Sequence, residues 1–292
     1  MRVKTAIFPV GGLGTRFLPA TKSLPKEMLP VLSKPIIQYA FEEAKDAGIE
    51  KFIFITGRNK NAINNHFDHA YELESNLDAK SKNDELNLVK NWLPQAGQVA
   101  FIRQQSPMGL GHAILCAKNY IANNEPFLVI LADEMHLGQL DNKYNLCKEM
   151  ISLYNNLDSK SNIISVDEVD KKDVSKYGII SSKKDSLIDY MVEKPDINQA
   201  PSNMAITGRY IIQPEIFNYL SQKKIGRNQE IQLTDAMNEM LKAGSKFYYK
   251  KNCQDRFDCG SVLGYLEANI AFALNDKDLK KDLARIVRKY NI

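Results

Sequence analysis

Short apolar runs alternate with amphipathic segments through the first 135 residues, and this alternation is the strongest constraint on the fold. The apolar runs are predicted strands at 3–10, 51–57, 98–104 and 127–133. The segments between and after them are predicted helices at 34–48, 61–75, 83–92 and 112–121. Alternating strands and helices favour a parallel sheet with helices on both faces. Uninterrupted apolar strands are typical of such a sheet, because both of their faces are buried.

The rest of the chain has more predicted strands and fewer helices between them. Strands are predicted at 162–168, 177–182, 187–193, 204–212 and 246–251, and helices at about 232–243, 260–275 and 277–290. Consecutive strands that are joined without a helix pair antiparallel. We therefore predict an α/β fold with a mixed, mainly parallel sheet and a smaller antiparallel subregion, in one continuous domain over residues 1–292.

Composition argues against several functional classes. The chain has 39 Lys and Arg against 35 Asp and Glu, a net charge of +4, and no long basic run, so we expect no nucleic-acid partner. Its four cysteines form no CxxC pair, which argues against a zinc site or a disulfide framework and favours a reducing cytoplasm. No run approaches the roughly 18 apolar residues of a membrane span, so no membrane partner is expected.

A glycine-rich loop that carries cations follows the first predicted strand, in the stretch PVGGLGTRFLPATKSLPKEMLP (9–30). Phe17 stands where the dinucleotide fingerprint GxGxxG requires its third glycine, and no stretch fits GxxxxGK[ST]. The loop can still bring backbone N–H groups to a phosphate, with Arg16 and Lys26 supplying charge. Prolines on either side are expected to stiffen the segment around Lys26. From these residues alone, a surface loop with solvated cations remains an alternative.

Two aspartates in similar positions are candidate metal ligands. Asp133 ends a predicted strand, and Asp258 precedes a predicted helix. Ligands of open parallel sheets bind at the carboxyl ends of strands, and two hard carboxylates suit Mg²⁺. From the residues alone, either aspartate could instead be a helix cap or a surface acid.

A second glycine-rich stretch, RQQSPMGLGHA (103–113), precedes another predicted helix. Its glycines allow the backbone to approach a flat base, and Gln104 or Gln105 can offer an amide to the edge of that base. The same stretch also reads as a turn that caps the helix at 112–121. His112 is expected to contribute only shape.

Other polar residues are less informative. Lys194 and Glu193 lie at the end of a predicted strand, where a solvated Glu–Lys pair is the ordinary alternative. His66 and His69 lack the HExxH pattern of a metal site. Ser, Cys and His residues show no arrangement of a nucleophile with a base, so covalent catalysis is not predicted.

The stretch GGLGTRFLPATKSLPKEMLPVLSKPIIQY (11–39) resembles the signature of the sugar-1-phosphate nucleotidylyltransferases, most closely the bacterial UTP–glucose-1-phosphate uridylyltransferases. The form PATKSLPKEMLPV is more specific than the broader family pattern. One departure is Gly11, where the family usually has Ala, a change expected to preserve the approach of the backbone. The resemblance continues in order along nearly the whole chain, in RQQSPMGLGHA (103–113), LAD (131–133), YGII (177–180), VEKP (192–195), GRYII (208–212), EIQLTDA (230–236) and FDCGSVLGYLEA (257–268).

The resemblance implies a Rossmann-like, three-layer fold, with a nucleotide-binding half at about 1–135 and a sugar-phosphate-binding half with C-terminal helices at about 136–292. It implies transfer of the uridylyl group of UTP to glucose 1-phosphate, giving UDP-glucose and pyrophosphate by Mg²⁺-assisted direct displacement. Alternatives are a relative that uses dTTP, CTP, GTP or another sugar 1-phosphate, and an inactive nucleotide-sugar sensor. The family is usually oligomeric, so a cytoplasmic homo-oligomer, a dimer or tetramer, is expected.

The resemblance also assigns roles to residues that match the family's motifs. Arg16, Lys26 and Lys194 are the expected catalytic cations, and Asp133 and Asp258 the expected Mg²⁺ ligands. The expected nucleotide-binding residues are Gly11, Gly12, Gly14, Thr15, Gln104 and Gly109. The expected sugar-phosphate-binding residues are Gly178, Glu193, Lys194, Ala205 and Gly208.

Overall fold

The computed structural model describes residues 2–140, 144–157, 160–226 and 229–290. The strands in these ranges are β1 (Thr5–Val10), β2 (Pro30–Val31), β3 (Lys34–Pro35), β4 (Lys51–Thr56), β5 (Val99–Arg103), β6 (Phe127–Ile130), β7 (Glu134–His136), β8 (Asn162–Glu168), β9 (Gly178–Ser182), β10 (Ile188–Glu193), β11 (Met204–Ile212), β12 (Phe247–Lys251) and β13 (Arg256–Asp258). The α-helices are α1 (Ile36–Asp46), α2 (Asn61–His66), α3 (Tyr71–Ala79), α4 (Asn83–Lys90), α5 (Leu110–Leu115), α6 (Leu146–Asn156), α7 (Ile216–Leu220), α8 (Leu233–Lys242), α9 (Val262–Asn275) and α10 (Leu279–Lys289).

The central sheet has the strand order β10-β9-β11-β6-β1-β4-β5, and β8 and β12 extend it from β11. The four strands β6, β1, β4 and β5 are mutually parallel. In contrast, β11 runs antiparallel to β6, β8 and β9, and β10 runs antiparallel to β9. This arrangement confirms the predicted α/β class, with a parallel centre and an antiparallel extension.

Side chains of the parallel strands alternate between two apolar cores. Ile7 of β1 packs in one core with residues of α5, α7 and α8, whereas Phe8 packs in the other with residues of α1 and α6. Both side chains are fully buried, and each contributes about 1.5–3 kcal/mol of hydrophobic stabilisation. Helices therefore cover both faces of the sheet in a three-layer arrangement, as uninterrupted apolar strands require.

Four predicted elements differ from the structure in ways that have a clear local cause or that move a candidate site residue. The helix predicted at 34–48 begins at Ile36, because Lys34–Pro35 pairs as β3 with β2. The helix predicted at 61–75 is interrupted, since buried Phe67 packs against Phe41 and Phe54 and ends α2. The helix predicted at 112–121 begins earlier, at Leu110, and ends at Leu115. The strand predicted at 127–133 ends at Ile130, which leaves Asp133 in the turn before β7.

Two α-helices were not predicted, α6 and the five-residue α7. Helix α6 begins after Asn145, whose side-chain oxygen accepts a hydrogen bond from the backbone N–H of Lys148. This contact is an ordinary N-cap. Within the four described ranges, no helix combines the length and apolarity needed to span a membrane.

Candidate active site

A cleft of about 520 Å³ opens at the carboxyl ends of β1 and β5. Because these strands are parallel, the loops that follow them meet at one edge of the sheet. We call it the glycine-loop cleft. It is lined by Gly11, Gly12, Gly14, Thr15, Lys26, Gln104, Gly109, Leu131, Asp133 and Glu230, among others.

Two further clefts continue from it. The strand-end cleft, about 340 Å³, shares Asp133 and Glu230 with the glycine-loop cleft. It is also lined by Arg16, Tyr177, Gly178, Glu193, Lys194 and Asp258. The outer cleft, about 640 Å³, shares Arg16, Lys176, Lys194 and Asp258 with the strand-end cleft and adds Arg256. The predicted cations and carboxylates therefore lie along one continuous depression.

The first glycine-rich loop is held by its own polar contacts. Gly14 adopts a left-handed backbone with φ 66°, which suits glycine because it has no Cβ. Its carbonyl accepts a hydrogen bond from the Thr21 hydroxyl at 2.7 Å. Arg16 reaches across the site, where its Nη1 donates to the carbonyl of Gly260 at 3.3 Å.

Lys26 lies in a short 3₁₀ turn directly after Pro25, and its ammonium pairs with the Asp133 carboxylate. Burial by itself lowers the pKa of Lys26, but the attraction of Asp133 and Glu27 outweighs burial and raises it. Burial likewise raises the pKa of Asp133, and Lys26 reverses this and leaves it lowered. Lys26 is thus a fixed cation at the floor of the glycine-loop cleft.

The neighbour of Lys26 belongs to a second ion pair. The side chain of Glu27 is buried and accepts a hydrogen bond at 2.7 Å from the Lys60 ammonium, which is buried as well. Lys60 precedes α2, so this pair ties the turn that carries Lys26 to a separate part of the sheet edge. The turn does not depend on its prolines alone.

Asp133 and Asp258 converge on one point beside Gly260. A Cβ atom added to Gly260 would lie 3.0 Å from Oδ2 of Asp133 and 2.9 Å from Oδ1 of Asp258. The convergence follows from the pairing of β7 with β13, and the backbone N–H of Cys259 donates to the Asp133 carbonyl at 2.8 Å. Two carboxylates at one point, with room that a glycine leaves free, form a donor set that fits Mg²⁺.

A fully buried arginine supports the turn that carries Asp133. The Arg209 side chain is 0% exposed and pairs with Glu43 of α1 at 2.7 Å. Its Nη1 donates to the carbonyl of Leu131 at 3.0 Å, and its Nη2 to that of Glu134 at 3.1 Å. The guanidinium therefore holds the backbone on both sides of Asp133. Burial raises the pKa of Glu43, but the adjacent Arg209 outweighs burial and lowers it to about 2.

The second glycine-rich stretch forms the wall of the glycine-loop cleft opposite the first. Gln104 follows β5 and is only 7% exposed, whereas Gln105 points to solvent. The Nε2 of Gln104 lies 3.2 Å from the carbonyl oxygen of Gly109 and 3.0 Å from Nδ1 of His112. His112 lies inside α5, and its contact with Gln104 goes beyond the predicted contribution of shape alone.

Backbone hydrogen bonds join this wall to a distant segment. The N–H of Ile231 donates to Met108 at 2.8 Å, and the N–H of Gly111 donates to Ile231 at 2.9 Å. A Cβ on Gly109, whose φ is 94°, would lie 2.7 Å from Cβ of Glu230, and one on Gly111 would lie 2.7 Å from the Ile231 carbonyl oxygen. The two chain segments therefore touch through backbone that only glycine permits.

The strand-end cleft is built by the antiparallel part of the sheet. A Cβ on Gly178 would lie 3.2 Å from Oε2 of Glu193 and 3.1 Å from the Thr234 hydroxyl, so both polar groups face the same space. Lys194 directly follows β10 and has a left-handed backbone with φ 46°, which is strained for a residue with a Cβ. Its ammonium lies 3.1 Å from Glu193, and its N–H donates to the Tyr177 carbonyl.

Two predicted sugar-phosphate residues do not line any of these clefts. Ala205 is fully buried beside Val174 and Ile179 on the other side of β11. Gly208 lies in the sheet, where a Cβ would lie 2.9 Å from the Leu131 side chain, and its carbonyl accepts a hydrogen bond from the Leu131 N–H. Ile206 and Tyr210 of the same strand line the strand-end cleft.

Comparisons with known proteins place this geometry in a family. The family model described as nucleotidyl transferase matches residues 5–274. The chain belongs to the nucleotidyl transferase family. It is 42% identical to UTP–glucose-1-phosphate uridylyltransferase 1 of Staphylococcus saprophyticus over the whole of both chains, and 43% identical to UTP–glucose-1-phosphate uridylyltransferase of Bacillus subtilis over 97% of this chain and 95% of the other. It is similar to a crystal structure of UDP-glucose pyrophosphorylase complexed with UDP-glucose, with a TM-score of 0.81 and 42% identity over 94% of this chain and 100% of that one.

Several residues that shape this nucleotidyl transferase site were not predicted. Lys176 and Arg256 line the outer cleft, and Arg256 also pairs with Glu134 at 3.3 Å. Both adjoin motifs that were singled out, YGII and FDCG, so proximity to those motifs was the available signal. Arg209 lies inside the motif GRYII, but nothing in the sequence indicated that it is buried and paired with Glu43, because their burial is decided by tertiary packing.

Proposed function

We propose that this protein transfers the uridylyl group of UTP to α-D-glucose 1-phosphate, forming UDP-glucose and pyrophosphate. The observation that carries the proposal is the convergence of Asp133 and Asp258 beside Gly260, with Arg16 and Lys26 next to them, where the three clefts join. Full-length similarity to proteins named for this reaction supports the choice of UTP and glucose 1-phosphate.

The reaction is a direct displacement at phosphorus. A phosphate oxygen of glucose 1-phosphate forms a bond to the α-phosphorus of UTP, while the bond from that phosphorus to the bridging oxygen breaks and pyrophosphate leaves with the electron pair. This step requires two anions in line and neutralisation of their charge, rather than a protein nucleophile. We assign Lys194 to the incoming phosphate, and Arg16 and Lys26 to the triphosphate and the leaving group.

Asp133 and Asp258 would hold Mg²⁺. When bound, this ion would neutralise phosphate oxygens of both reactants. Among the described residues, no group of three or more His, Cys, Asp or Glu could hold a metal. Two carboxylates would therefore be the protein's share of the ligands, which suits Mg²⁺ because it usually retains waters and takes substrate phosphates as ligands.

We assign the remaining roles according to the cleft that each residue lines. The backbone at Gly11, Gly12, Gly14 and Thr15 would approach the nucleotide. Gln104 and Gly109 would contact its uracil base. Gly178 and Glu193 would face the sugar hydroxyls. Residues at about 1–135 would then form the nucleotide-binding half and those at about 136–292 the sugar-phosphate-binding half. A cytoplasmic location and a homo-oligomeric state, a dimer or tetramer, remain proposals.

A pyrophosphate-release assay tests the function. We expect release only when UTP, Mg²⁺ and glucose 1-phosphate are all present, and much slower release when dTTP replaces UTP or galactose 1-phosphate replaces glucose 1-phosphate. Equal or faster release with a different nucleotide or sugar phosphate would reassign the substrates within the family. No release with any pair would contradict an enzymatic function.

Replacing Lys194 tests its assigned role. Lys194→Ala should reduce turnover by about a hundredfold or more, the usual effect of removing a group that stabilises transition-state charge, while UTP still binds in calorimetry. Lys184→Ala is the matched control, because Lys184 is exposed outside the clefts. Near-normal turnover of the Lys194 variant would refute the assignment.

A further inference from the structure

The orientation of the Gln104 side-chain amide is fixed by its surroundings. The atom that lies 3.2 Å from the Gly109 carbonyl oxygen has to be the nitrogen, because a carbonyl oxygen only accepts hydrogen bonds. The Oε1 atom is therefore on the opposite side, where it lies 2.9 Å from the position of a Cβ on Gly11. Gln104 and Gly11 both line the glycine-loop cleft.

The same nitrogen fixes the state of His112. An amide nitrogen carries two hydrogens, and the second points to Nδ1 of His112 at 3.0 Å. Nδ1 therefore accepts, which requires a neutral ring with its proton on Nε2. Partial burial and the positive charge of Lys223 lower the pKa of His112, which favours this neutral form.

With both hydrogens engaged, Gln104 has only its oxygen left to offer to a ligand. If the amide turned over, Oε1 would face the Gly109 carbonyl oxygen, which can only accept, and it could accept from His112 only if the ring moved its proton to Nδ1. Sites that bind by hydrogen bonds reject ligands that leave buried polar groups unpaired. The Gly109 carbonyl oxygen thus makes the two orientations of the amide unequal, and His112 with its proton on Nε2 adds a second hydrogen bond to the favoured one.

We propose that His112 is a positioning residue for nucleobase specificity: it holds Gln104 so that Oε1 faces the base and selects bases that carry an N3–H donor, uracil and thymine, over cytosine. This proposal rests on the proposed function, in which Gln104 meets the base. In cytosine, N3 is an acceptor, so its lone pair would face the lone pairs of Oε1. His112 itself contacts Gln104 and does not line the cleft.

Nitrogen-15 NMR of the histidine rings in the unmodified protein tests the hydrogen bond directly. We expect His112 at neutral pH to be neutral, with the proton on Nε2 and a bare Nδ1. A ring protonated on Nδ1, or on both nitrogens, would overturn the proposal, because Nδ1 could not then accept from Gln104. This measurement needs no variant and does not depend on turnover.

The ratio of kcat/KM for UTP to that for CTP, with glucose 1-phosphate as acceptor, tests the consequence for specificity. His112→Leu removes the acceptor with little change in shape, and the ratio should fall by about tenfold, the scale of one hydrogen bond. His112→Asn places an amide oxygen near the position of Nδ1 and should keep the ratio within about threefold of the unmodified protein. The ratio of UTP to dTTP should stay unchanged in both variants, because uracil and thymine share N3–H.

His66→Leu is the matched control. His66 also contacts a glutamine side chain, that of Gln38 at 3.1 Å, but lies outside the clefts, so its loss should leave the UTP-to-CTP ratio unchanged. An unchanged UTP-to-CTP ratio in folded His112→Leu, or equal changes of this ratio in the Leu and Asn variants, would overturn the role proposed for His112. Either result would leave the proposed function intact. If the unmodified protein released no pyrophosphate from UTP, the proposed function would fail together with this inference.

Discussion

Asp133 and Asp258 reach the same point from two regions that are built differently. Asp133 lies in a turn whose flanking carbonyls both accept hydrogen bonds from the buried Arg209, so the core holds it. Asp258 ends β13, which pairs with β7, and the local turn that begins α9 orients its side chain: its carboxylate accepts from the N–H of Gly260 at 2.9 Å, and its carbonyl accepts from the Ser261 hydroxyl at 3.1 Å. The core of the protein therefore holds one carboxylate, whereas a local turn at the end of a short strand orients the other.

The comparison predicts that damage on the Asp133 side reduces stability, whereas damage on the Asp258 side reduces activity. Buried ion pairs are costly to break because the remaining partner stays charged and without compensation. A side chain in a partly exposed turn can rehydrate when its contacts are lost.

The largest expected effect is that of Arg209→Met. It should lower the free energy of unfolding by about 3–5 kcal/mol, because Glu43 would remain buried without its partner. Urea unfolding at pH 7 measures this change. The double variant Glu43→Met, Arg209→Met should recover part of the loss, since no lone charge remains. A loss of less than about 1 kcal/mol in the single variant would mean that the core does not hold Asp133 through this pair.

Asp258→Asn should have the opposite pattern. Turnover in the pyrophosphate-release assay should fall by about a hundredfold, while the free energy of unfolding changes by less than about 1 kcal/mol. Asp255→Asn is the control, because Asp255 lies three residues earlier and is exposed. A destabilisation as large as that of Arg209→Met would remove the distinction between the two regions.

We expect acid to destabilise the region around Asp133 before the turn around Asp258. The His136 side chain is buried, and burial, with the positive charges of Arg209 and Arg256, lowers its pKa from 6.5 to about 3 despite the opposing charge of Glu43. Between these two pKa values, the His136 ring binds a proton in the unfolded chain but not in the folded chain. The contribution of His136 to the free energy of unfolding is therefore complete above pH 6.5 and is lost as the pH falls towards 3. The expected loss from this residue at pH 5 is about 2 kcal/mol.

Unfolding measured between pH 7 and pH 5 tests this dependence. His136→Phe should make the free energy of unfolding less dependent on pH over that range. The control is His69→Gln, which changes an exposed histidine and should leave the pH dependence unchanged. If His136→Phe retained the full slope, other groups would have to account for the acid sensitivity.

The smallest expected effect is that of Ser261→Ala at the turn that holds Asp258. The Ser261 hydroxyl caps α9 by accepting from the N–H of Gly264 at 3.1 Å, and loss of such a cap costs about 1 kcal/mol. Turnover should fall only a few-fold, because the bond from Gly260 to the Asp258 carboxylate remains. Ser182→Ala, at the exposed end of β9, should change neither quantity. If Ser261→Ala lost more turnover than Asp258→Asn, the expected order of these two effects would be contradicted.

The sequence allowed the parallel centre of the fold and the position of the glycine-loop cleft to be predicted, because parallel strands bring the loops after them to one edge. Lys26 and Gln104 lie on that edge as expected, next to Asp133. The convergence of Asp258 with Asp133 depends on the pairing of β13 with β7, two three-residue strands that have no periodicity of their own. Only the family resemblance brought these two carboxylates together.

Other features could not be predicted because their causes are not local. Glu43 and Arg209 are 166 positions apart, and charged residues normally lie at the surface, so nothing in either segment signals a buried pair. The break between α2 and α3 depends on the packing of Phe67 against Phe41 and Phe54, which are distant in sequence. The hydrogen bond between His112 and Gln104 depends on the early start of α5, which sets the direction of the ring.

The contact of Gly109 and Gly111 with the segment at Glu230 and Ile231 has a consequence for sequence variation. The hydrogen bonds of this seam use only backbone atoms, so Met108 and Ile231 can be exchanged for other apolar residues without breaking it. The two glycines cannot gain even one carbon without pushing the segments apart. In a saturation-mutagenesis library selected for activity, the seam should therefore appear as two invariant positions among tolerant neighbours.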